Sequence, residues 1–446
     1  MRSRWPIPLG WLCLYNLIAF AGLPALAIAA PPSLPIAPPP QPGGTDGRAH
    51  FPTLSLPVLL DRVVSSSPDL QARAADVAAA AERPAQGGAL DDPMLMVELW
   101  QVPLSTAHIP LMFTLRQPIT WPGKLAARAA VLRHDRTRAQ ADVDRGRREL
   151  RLAATRGYYD YRLAVRSLDV LRAARALSAS HIAAVDVRYR VGRAELAELL
   201  AAQETQATLD NAMLDIERER DVAAAALNVL CGQPVDQPLG TPVTPPTASS
   251  PLPLAQLIDL ALTRRAELHA IDAQIAQAGD RARAARHEHA PDLAVSASYM
   301  TMVRGGDPNE QTFTVGLQTS LPSWSLARSG AALRESHHQV RSLRAQRQQA
   351  ERDIAGQVRT ALLRLETADR HVRFHSDTLL PLSERALRAA QAGYQSGRAP
   401  LSLLLDATRR LTEHQLDAER YQAELGQRQA ELEAACGGPT ATTGAP

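Results

Sequence analysis

The chain contains two copies of one large unit, and this duplication constrains its fold more than any other feature. The first copy covers residues 55–232 and the second covers residues 254–437. Each copy passes from a helical segment through two alternating segments into a long helical stretch that is interrupted at one glycine. Landmarks that recur in the same order are residues 58–60 and 257–259, the Tyr-x-x-Gly-Arg-Ala segments at 189–194 and 394–399, and the Cys-Gly pairs at 231–232 and 436–437. A repeat of this length is typical of a duplicated unit rather than a solenoid of short repeats.

Four short segments alternate between apolar and polar residues, which is the pattern of strands with two different faces. They lie at about 93–101, 109–117, 292–302 and 312–320, and each is about as long as a tilted strand that crosses a bilayer. The residues of the apolar faces are Leu95, Val97 and Leu99, then Leu111, Phe113 and Leu115, then Leu293, Val295, Ala297 and Tyr299, and finally Phe313, Val315 and Leu317. Because such patterns are weak for each strand, two ordinary hairpins of a soluble sheet remain an alternative.

The helical stretches are too long to bury an apolar stripe within a small domain. No proline occurs between Pro122 and Pro234, and the only marked break there is near Gly192. A single helix over 124–190 would be roughly 100 Å long, so it needs other helices alongside. The further long helices are predicted at about 194–231, 325–395 and 400–436, and Pro381 is expected to kink or break the second of these. Residues at alternating spacings of four and three, as in a coiled-coil seam, are Ile354, Val358, Ala361, Leu365, Ala368 and Val372.

The strands and helices together predict an oligomer. Four strands cannot close a barrel, and an open sheet edge in lipid would leave backbone N–H and C=O groups unpaired. If the strands enter a membrane, several chains must share one barrel, of eight strands from two chains or twelve from three. The predicted fold is therefore mainly α with a membrane β-barrel portion.

The N-terminus carries the pattern of an export signal. Arg2 and Arg4 precede an apolar run, and the small residues Ala25, Ala27 and Ala29 offer cleavage sites, so residues 1–29 are predicted to be a signal peptide. Cys13 would be removed with it, and no lipid anchor is expected. After the signal, no stretch approaches the roughly 20 apolar residues of a membrane-spanning helix. The remaining non-repeat segments are a Pro-rich N-terminal segment at 30–54, a linker at 233–253 and a C-terminal tail at 438–446.

Composition and charge disfavour two other classes of protein. Aromatic residues make up 4% of the chain and charged residues 21%, which favours long amphipathic helices over a compact enzyme core. The net charge is +3, and basic residues alternate with acidic ones along the helices, so no nucleic acid partner is expected. Cys231 and Cys436 end matching copies, and a bridge between them is not favoured because it needs Cα atoms within about 7 Å.

The ordered set of motifs resembles the TolC family of outer-membrane efflux proteins over nearly the whole length after the signal. Residues 191–196 and 396–407 resemble the glycine-containing helix tips of that family. Residues 117–124, which lead from a strand into a long helix, resemble its cation-efflux (CzcC-like) branch. The resemblance implies a homotrimer in a Gram-negative cell, with a twelve-stranded β-barrel in outer-membrane lipid and an α-helical barrel in the periplasm.

The same resemblance implies a function and partners. The chain is expected to be a passive exit duct of a tripartite efflux system, for metal cations or other toxic solutes. A periplasmic adaptor (membrane fusion protein) would join it to an inner-membrane pump of the resistance–nodulation–division type, which supplies the energy. Because the pump selects the solute, the choice between metal and organic substrates stays open. No cofactor is expected.

The resemblance also assigns roles at the helix tips, which in the family meet the adaptor and close the tunnel. The candidate adaptor contacts are Gly192, Arg193, Ala194, Leu196, Gly397, Arg398, Ala399 and Leu401. The candidate gate residues are Tyr394, Glu198 and Asp406. Ala399 replaces a basic residue of drug-efflux relatives and Leu403 an acidic one, so the entrance is expected to be held differently. A threefold ring of Asp406 carboxylates would attract cations.

Nothing in the sequence indicates catalysis or a metal site. No nucleophile–base pair or phosphate-binding glycine loop is present, so an enzyme is not expected. His371 and His375 lie four residues apart, and further histidines occur at 287–289 and 337–338. Structural metal sites need three or four ligands, and no third ligand is suitably spaced, so these are interpreted as incidental surface histidines. The main alternative to a channel is a secreted or periplasmic helical scaffold, similar to an adaptor.

Overall fold

The computed structural model describes residues 53–99, 109–244, 252–304, 307–321 and 325–440. The predicted signal peptide, nearly all of the Pro-rich segment, part of the linker and most of the C-terminal tail lie outside these residues, as do the tips of both hairpins. The elements of the first repeat are β1 (Thr53–Leu54), α1 (Leu56–Ser66), α2 (Pro68–Gly88), β2 (Met94–Leu99), β3 (Ile109–Ile119), α3 (Pro122–Arg190) and α4 (Leu196–Leu230). After the linker strand β4 (Thr241–Pro242), those of the second are α5 (Leu254–Arg264), α6 (Ala266–His287), β5 (Leu293–Arg304), β6 (Asp307–Thr319), α7 (Ser325–Phe374), α8 (Leu380–Gln395) and α9 (Leu401–Ala435).

The four long strands form one antiparallel sheet in the order β2-β3-β5-β6. The two repeats meet at its centre, where β3 pairs with β5 from Ile109↔Val303 to Ile119↔Leu293. One row of paired residues crosses all four strands through Val97, Phe113, Tyr299 and Phe313. This register places the predicted apolar residues together on one face, so the predicted division into two faces is confirmed.

The opposite face of the sheet is mostly polar. Its central row joins Met96, Thr114, Ser298 and Thr314, and the Thr114 and Ser298 hydroxyls lie 3.0 Å apart. On the apolar face, Phe313 is 69% exposed and Val315 is 67% exposed, because nothing in the described chain packs over them. The outer edges of β2 and β6 pair with no further strand within the described residues. The single chain therefore leaves both its apolar face and its sheet edges uncovered.

The longest helix, α3, is continuous over 69 residues, which corresponds to about 100 Å. Pro122 lies in its first turn, where a missing N–H is tolerated. Asp292, just before β5, accepts a bond from the Trp121 backbone N–H at 3.0 Å and one from the Lys124 ammonium at 2.8 Å. These contacts fix the direction in which the helix leaves the sheet.

The corresponding rod of the second repeat is interrupted. A π-helical segment, His375–Leu379, separates α7 from α8, and the Leu380 N–H donates to the His375 carbonyl five residues earlier. Pro381 follows in the first turn of α8. Since proline has no N–H to donate within a helix, this local widening is the break that the sequence predicts at Pro381.

Each repeat has its own apolar core beside the helical rods. In the first, Leu59 of α1 packs with Tyr158 of α3, Leu227 of α4 and Cys231. The Tyr158 hydroxyl lies within hydrogen-bonding reach of two carbonyls, that of Leu54 in β1 and that of Val243 next to β4. In the second, Leu257, Val358, Leu432 and Cys436 form the matching cluster. The two cysteines are therefore buried in different cores, and both are free thiols.

Candidate functional site at the helix tips

Two sharp turns end the long rods, one in each repeat. Gly192 has φ +71° and Gly397 has φ +72°, and an added Cβ would meet no atom within 4 Å at either. Glycine is thus needed here for its backbone conformation rather than for space. The Arg193 N–H donates to the Arg188 carbonyl at 2.8 Å, and the Arg398 N–H donates to the Gly393 carbonyl at 2.9 Å. Both tips are Schellman caps of the preceding helix.

The two tips pack against each other through one apolar cluster, which we call the tip cluster. It consists of Val185, Ala202, Leu387, Ala390, Tyr394, Leu401 and Leu404. Tyr394 is only 5% exposed within it. Arg188, in the last turn of α3, places its guanidinium carbon 4.4 Å from the centre of the Tyr394 ring. The tips of the two repeats are therefore joined by apolar packing and by one arginine–tyrosine contact.

Most of the residues predicted to contact an adaptor are accessible. Arg193, Leu196 and Arg398 are exposed, and the Arg398 guanidinium donates to the Ser396 hydroxyl at 3.0 Å. Ala194 and Ala399 are half-buried. Leu401 is buried in the tip cluster. Its side chain supports the tip from within and is not offered at the surface of the chain.

The predicted gate residues fall into two places. Glu198 and Asp406 line one groove of about 450 Å³ between the first turns of α4 and α9. Tyr394 lies in the core beside it, where burial raises the pKa of its hydroxyl above the ordinary value; the Arg188 guanidinium opposes this rise and Glu198 adds to it. Glu204 and Arg409 complete the charged lining of the groove. Asp406 is exposed and Glu198 is half-buried, whereas Tyr394 is buried.

The interpretation of the paired and clustered histidines as incidental surface residues is wrong for His375. It is buried at the start of the π-helical segment, and its ring centre lies 4.6 Å from that of Tyr421 and 6.3 Å from that of His414. His414, on α9, is the neighbour that spacing along α7 could not reveal. Burial lowers the pKa of His375. Within the described residues, no three His, Cys, Asp or Glu side chains are arranged to hold a metal ion.

A search of solved structures finds the same fold in several outer-membrane channels. The structure of VceC from Vibrio cholerae has a TM-score of 0.71 at 18% identity and covers 86% of this chain and 97% of its own. CusC has a TM-score of 0.73 at 17% identity, covering 86% and 92%. The open state of MtrE from Neisseria gonorrhoeae has a TM-score of 0.70 at 18% identity, covering 87% and 91%. A search of curated proteins by sequence finds no significant match.

One family model matches part of the sequence. The family model for outer membrane efflux proteins matches residues 257–438, which is the second repeat. The second repeat therefore has the sequence pattern of an outer membrane efflux protein. The mostly helical fold agrees with that of the channel structures named above. Among the described residues, no helix is both long enough and apolar enough to cross a membrane.

Sequence reasoning missed one residue of this site, Arg188. Its position in the last turn of a helix indicates only that a cation there is favourable. The contact of Arg188 with Tyr394 depends on which helix of the second repeat packs beside α3. No local sequence pattern encodes that packing. The sequence signal that remains is the difference between the repeats, because Arg188 stands where the second copy has Gly393.

Proposed function

We propose that this chain is a member of the outer membrane efflux protein family and the exit duct of a tripartite system, a homotrimer that spans the outer membrane and extends into the periplasm. Three chains pool their strands into a twelve-stranded barrel, and their helices form a continuous tunnel. A periplasmic adaptor joins the tunnel to an inner-membrane pump of the resistance–nodulation–division type.

The observation that carries the proposal is the incomplete sheet. Its four strands have one apolar face that the chain leaves uncovered, and its two edge strands pair with nothing further in the described residues. In lipid, unpaired edges cost several kcal/mol for each backbone group, so the edges must be paired by other copies. A scaffold that works in water has no use for an apolar face on four strands of matched register.

The helices supply the other half of the argument. Helix α3 leaves the sheet at a position fixed by Asp292 and continues for about 100 Å before it turns at Gly192. A helix of this length can connect a membrane to a partner across a wide aqueous compartment. The exposed residues at the tip, Arg193 and Arg398 among them, are proposed as adaptor contacts together with Gly192, Ala194, Leu196, Gly397 and Ala399.

We propose metal cations or other toxic solutes as the cargo. The groove at the tip carries the carboxylates of Glu198, Glu204 and Asp406, and the nearby Arg409 guanidinium is paired with Glu413 at 3.0 Å. Carboxylates repeated around a pore attract cations and repel anions. The resemblance of residues 117–124 to the cation-efflux branch supports metal cations in particular.

Fractionation and electrophysiology of the full chain test the proposal. The protein is expected in the outer-membrane fraction, released only by detergent, as a trimer that forms discrete channels in planar bilayers. A deletion strain should become sensitive to metal salts, to organic toxicants, or to both, which identifies the cargo. A monomeric, non-conducting protein that is released without detergent would refute the duct and favour the scaffold.

A further inference from the structure

The polar face of the sheet holds most of the chain's methionines. The chain has seven, and four of them, Met94, Met96, Met112 and Met300, stand in three neighbouring rows of paired residues on this face. The other residues of these rows are Glu98, Thr114, Arg116, Ser296, Ser298, Thr312, Thr314 and Gly316. Methionine is therefore the only large apolar residue in the three rows.

The matching rows of the apolar face hold no methionine. Their residues are Leu95, Leu115, Ala297 and Val315, then Val97, Phe113, Tyr299 and Phe313, then Leu99, Leu111, Thr301 and Gln311. If methionine served here only as an apolar side chain, the face that contacts lipid would be the favourable place for it. Its placement on the opposite face, which lines the pore of the proposed duct, indicates that the sulfur atom has a role.

Two of these methionines lie opposite each other where the two repeats meet. Met112 of β3 pairs with Met300 of β5, and directly opposite residues of an antiparallel pair have Cβ atoms about 4.5–5.5 Å apart. Methionine is unbranched and has three rotatable bonds, so both sulfur atoms can contact one ion. Glu98 pairs with Met112 on its other side. The row therefore combines two thioethers with one carboxylate.

The other two methionines continue this site toward the helices. Met96 and Met94 precede Glu98 by two and four residues on β2, so successive rows are about 7 Å apart. Met94 is 59% exposed and Met96 is 46% exposed, which leaves both accessible to an ion in the pore. Arg116 pairs with Met94, so we expect a cation to bind most weakly in that row. We call the four methionines the methionine ladder.

The chemistry of a thioether restricts the ions that it binds. Soft sulfur ligands select copper(I), whereas Mg²⁺ and Ca²⁺ prefer oxygen ligands. Silver(I) has the same charge and is also a soft cation. A thioether has no proton to lose before it binds a metal, unlike a thiol or an imidazolium. Several weak sites in series also suit a pore, because an ion that binds tightly at one site cannot leave.

We propose that the methionine ladder binds a soft monovalent metal cation, copper(I) or silver(I), on its way through the duct. The Met112–Met300 pair is the principal site, and Glu98 balances the charge of the ion. This inference rests on the proposed function, because the ladder lines a pore only if the sheet is part of a barrel. It names the class of cargo and places its contacts in the sheet rather than at the helix tips.

Single-channel recording of the full-length trimer in potassium nitrate, with silver nitrate added, tests the inference. Silver(I) is expected to interrupt the potassium current of the wild type, because an ion held between Met112 and Met300 occupies the pore. The double variant Met112→Leu/Met300→Leu should raise the half-blocking silver concentration about tenfold, since leucine lacks the sulfur ligand. Without silver its current should match the wild type, because leucine has nearly the volume of methionine. Sodium nitrate should block neither protein.

The matched control is Met213→Leu, which makes the same chemical change on α4, outside the sheet. Its half-blocking silver concentration should equal that of the wild type. The free thiols of Cys231 and Cys436 are present in every protein compared, so any silver that they bind affects all of them alike. Trimer content is measured for each variant, and the single changes Met112→Leu and Met300→Leu decide the question if the double variant assembles poorly.

A deletion strain that carries the same variants gives a second measurement. Met112→Leu/Met300→Leu should lose tolerance of silver and copper salts while keeping any tolerance of organic toxicants that the wild type confers. Equal half-blocking concentrations in the wild type and the double variant, or no effect of silver on the wild type, overturn the ladder and leave the duct intact. Restored tolerance of organic toxicants but not of silver, by the wild-type gene, has the same meaning. Absence of channels in the wild-type protein overturns the duct and the ladder together.

Discussion

Two titratable side chains of the long helices, those of His181 and Asp406, differ in their exposure to water. His181, on α3, is buried, and neither of its ring nitrogens has a hydrogen-bond partner among the described residues. Burial alone lowers its pKa below the ordinary value of 6.5. The folded protein therefore keeps this imidazole neutral where the unfolded chain would protonate it. Asp406 shows the opposite placement, with its carboxylate exposed in the tip groove.

His181 is expected to make the protein sensitive to acid. As the pH falls through 6.5, the ordinary pKa of histidine, His181 becomes protonated in the unfolded chain but not in the folded chain. The free energy of unfolding therefore falls. His181→Leu should remove this contribution. When the pH is lowered from neutral to about pH 5, the melting temperature of the variant should therefore fall less than that of the wild type. Thermal unfolding followed by circular dichroism at both pH values measures it. The exposed His337→Leu should keep the wild-type dependence, and equal acid sensitivity in His181→Leu and the wild type would contradict the argument.

Asp406 is expected to influence which ions enter. Replacement by asparagine keeps the size of the side chain and removes three charges from the proposed trimer, so the preference for cations should fall. The reversal potential in a salt gradient gives the change in selectivity directly. Ser402→Ala, in the same groove, should leave the selectivity unaltered. An unchanged reversal potential in Asp406→Asn would remove Asp406 from the entrance.

At some helix–helix contacts, a residue without a side chain allows two helices to come close together. Gly426 on α9 faces the ring of Tyr159 on α3, and an added Cβ would overlap that ring. The two rods can approach here only because one of them lacks a side chain. By contrast, a Cβ added at Gly279 on α6 would meet nothing within 4 Å. The same substitution should therefore have opposite effects on these two helices.

Gly426→Ala should lower the free energy of unfolding by about 1–3 kcal/mol, since the ring or the helix must move. Gly279→Ala should be neutral or stabilising by up to about 1 kcal/mol, because alanine favours a helix more than glycine does. Chemical denaturation of both purified variants provides the comparison. Equal effects of the two changes on the free energy of unfolding would contradict the argument, because the contact of Gly426 with Tyr159 would then add no cost.

At the scale of the whole molecule, the parts that follow from local sequence were predictable and the long-range contacts were not. The alternation at Leu95 and Val97, or at Phe313 and Val315, defines two faces without any knowledge of neighbours. Pairing of β3 with β5 joins residues nearly 200 positions apart, and no local pattern encodes it. At the tip, Gly192 and Gly397 predict the two turns. Their neighbours across the cluster, such as Arg188 on the Tyr394 ring, depend on how the rods pack.

The two faces of the sheet are expected to respond differently to charge. Val315→Arg places a guanidinium on the apolar face and should reduce the amount of assembled trimer in the outer membrane, at a cost of about 2–4 kcal/mol if the site is near the bilayer midplane. Thr314→Arg, one position earlier on the polar face, should assemble at close to the wild-type level. Unheated gel electrophoresis of membrane fractions gives the trimer yield. Equal assembly of the two variants would mean that neither face contacts lipid.

The central pairing of β3 with β5 has a consequence for the order of events during biosynthesis. The inner strand of the first hairpin finds its partner only after synthesis has proceeded to Arg304, so the sheet cannot mature while the first repeat alone has emerged. Until then the apolar face of β2 and β3 belongs to an incomplete sheet and is exposed in an aqueous compartment. Contacts so distant along the chain form slowly and leave time for aggregation. Safe delivery of this protein therefore depends on keeping its first hairpin shielded until the second arrives.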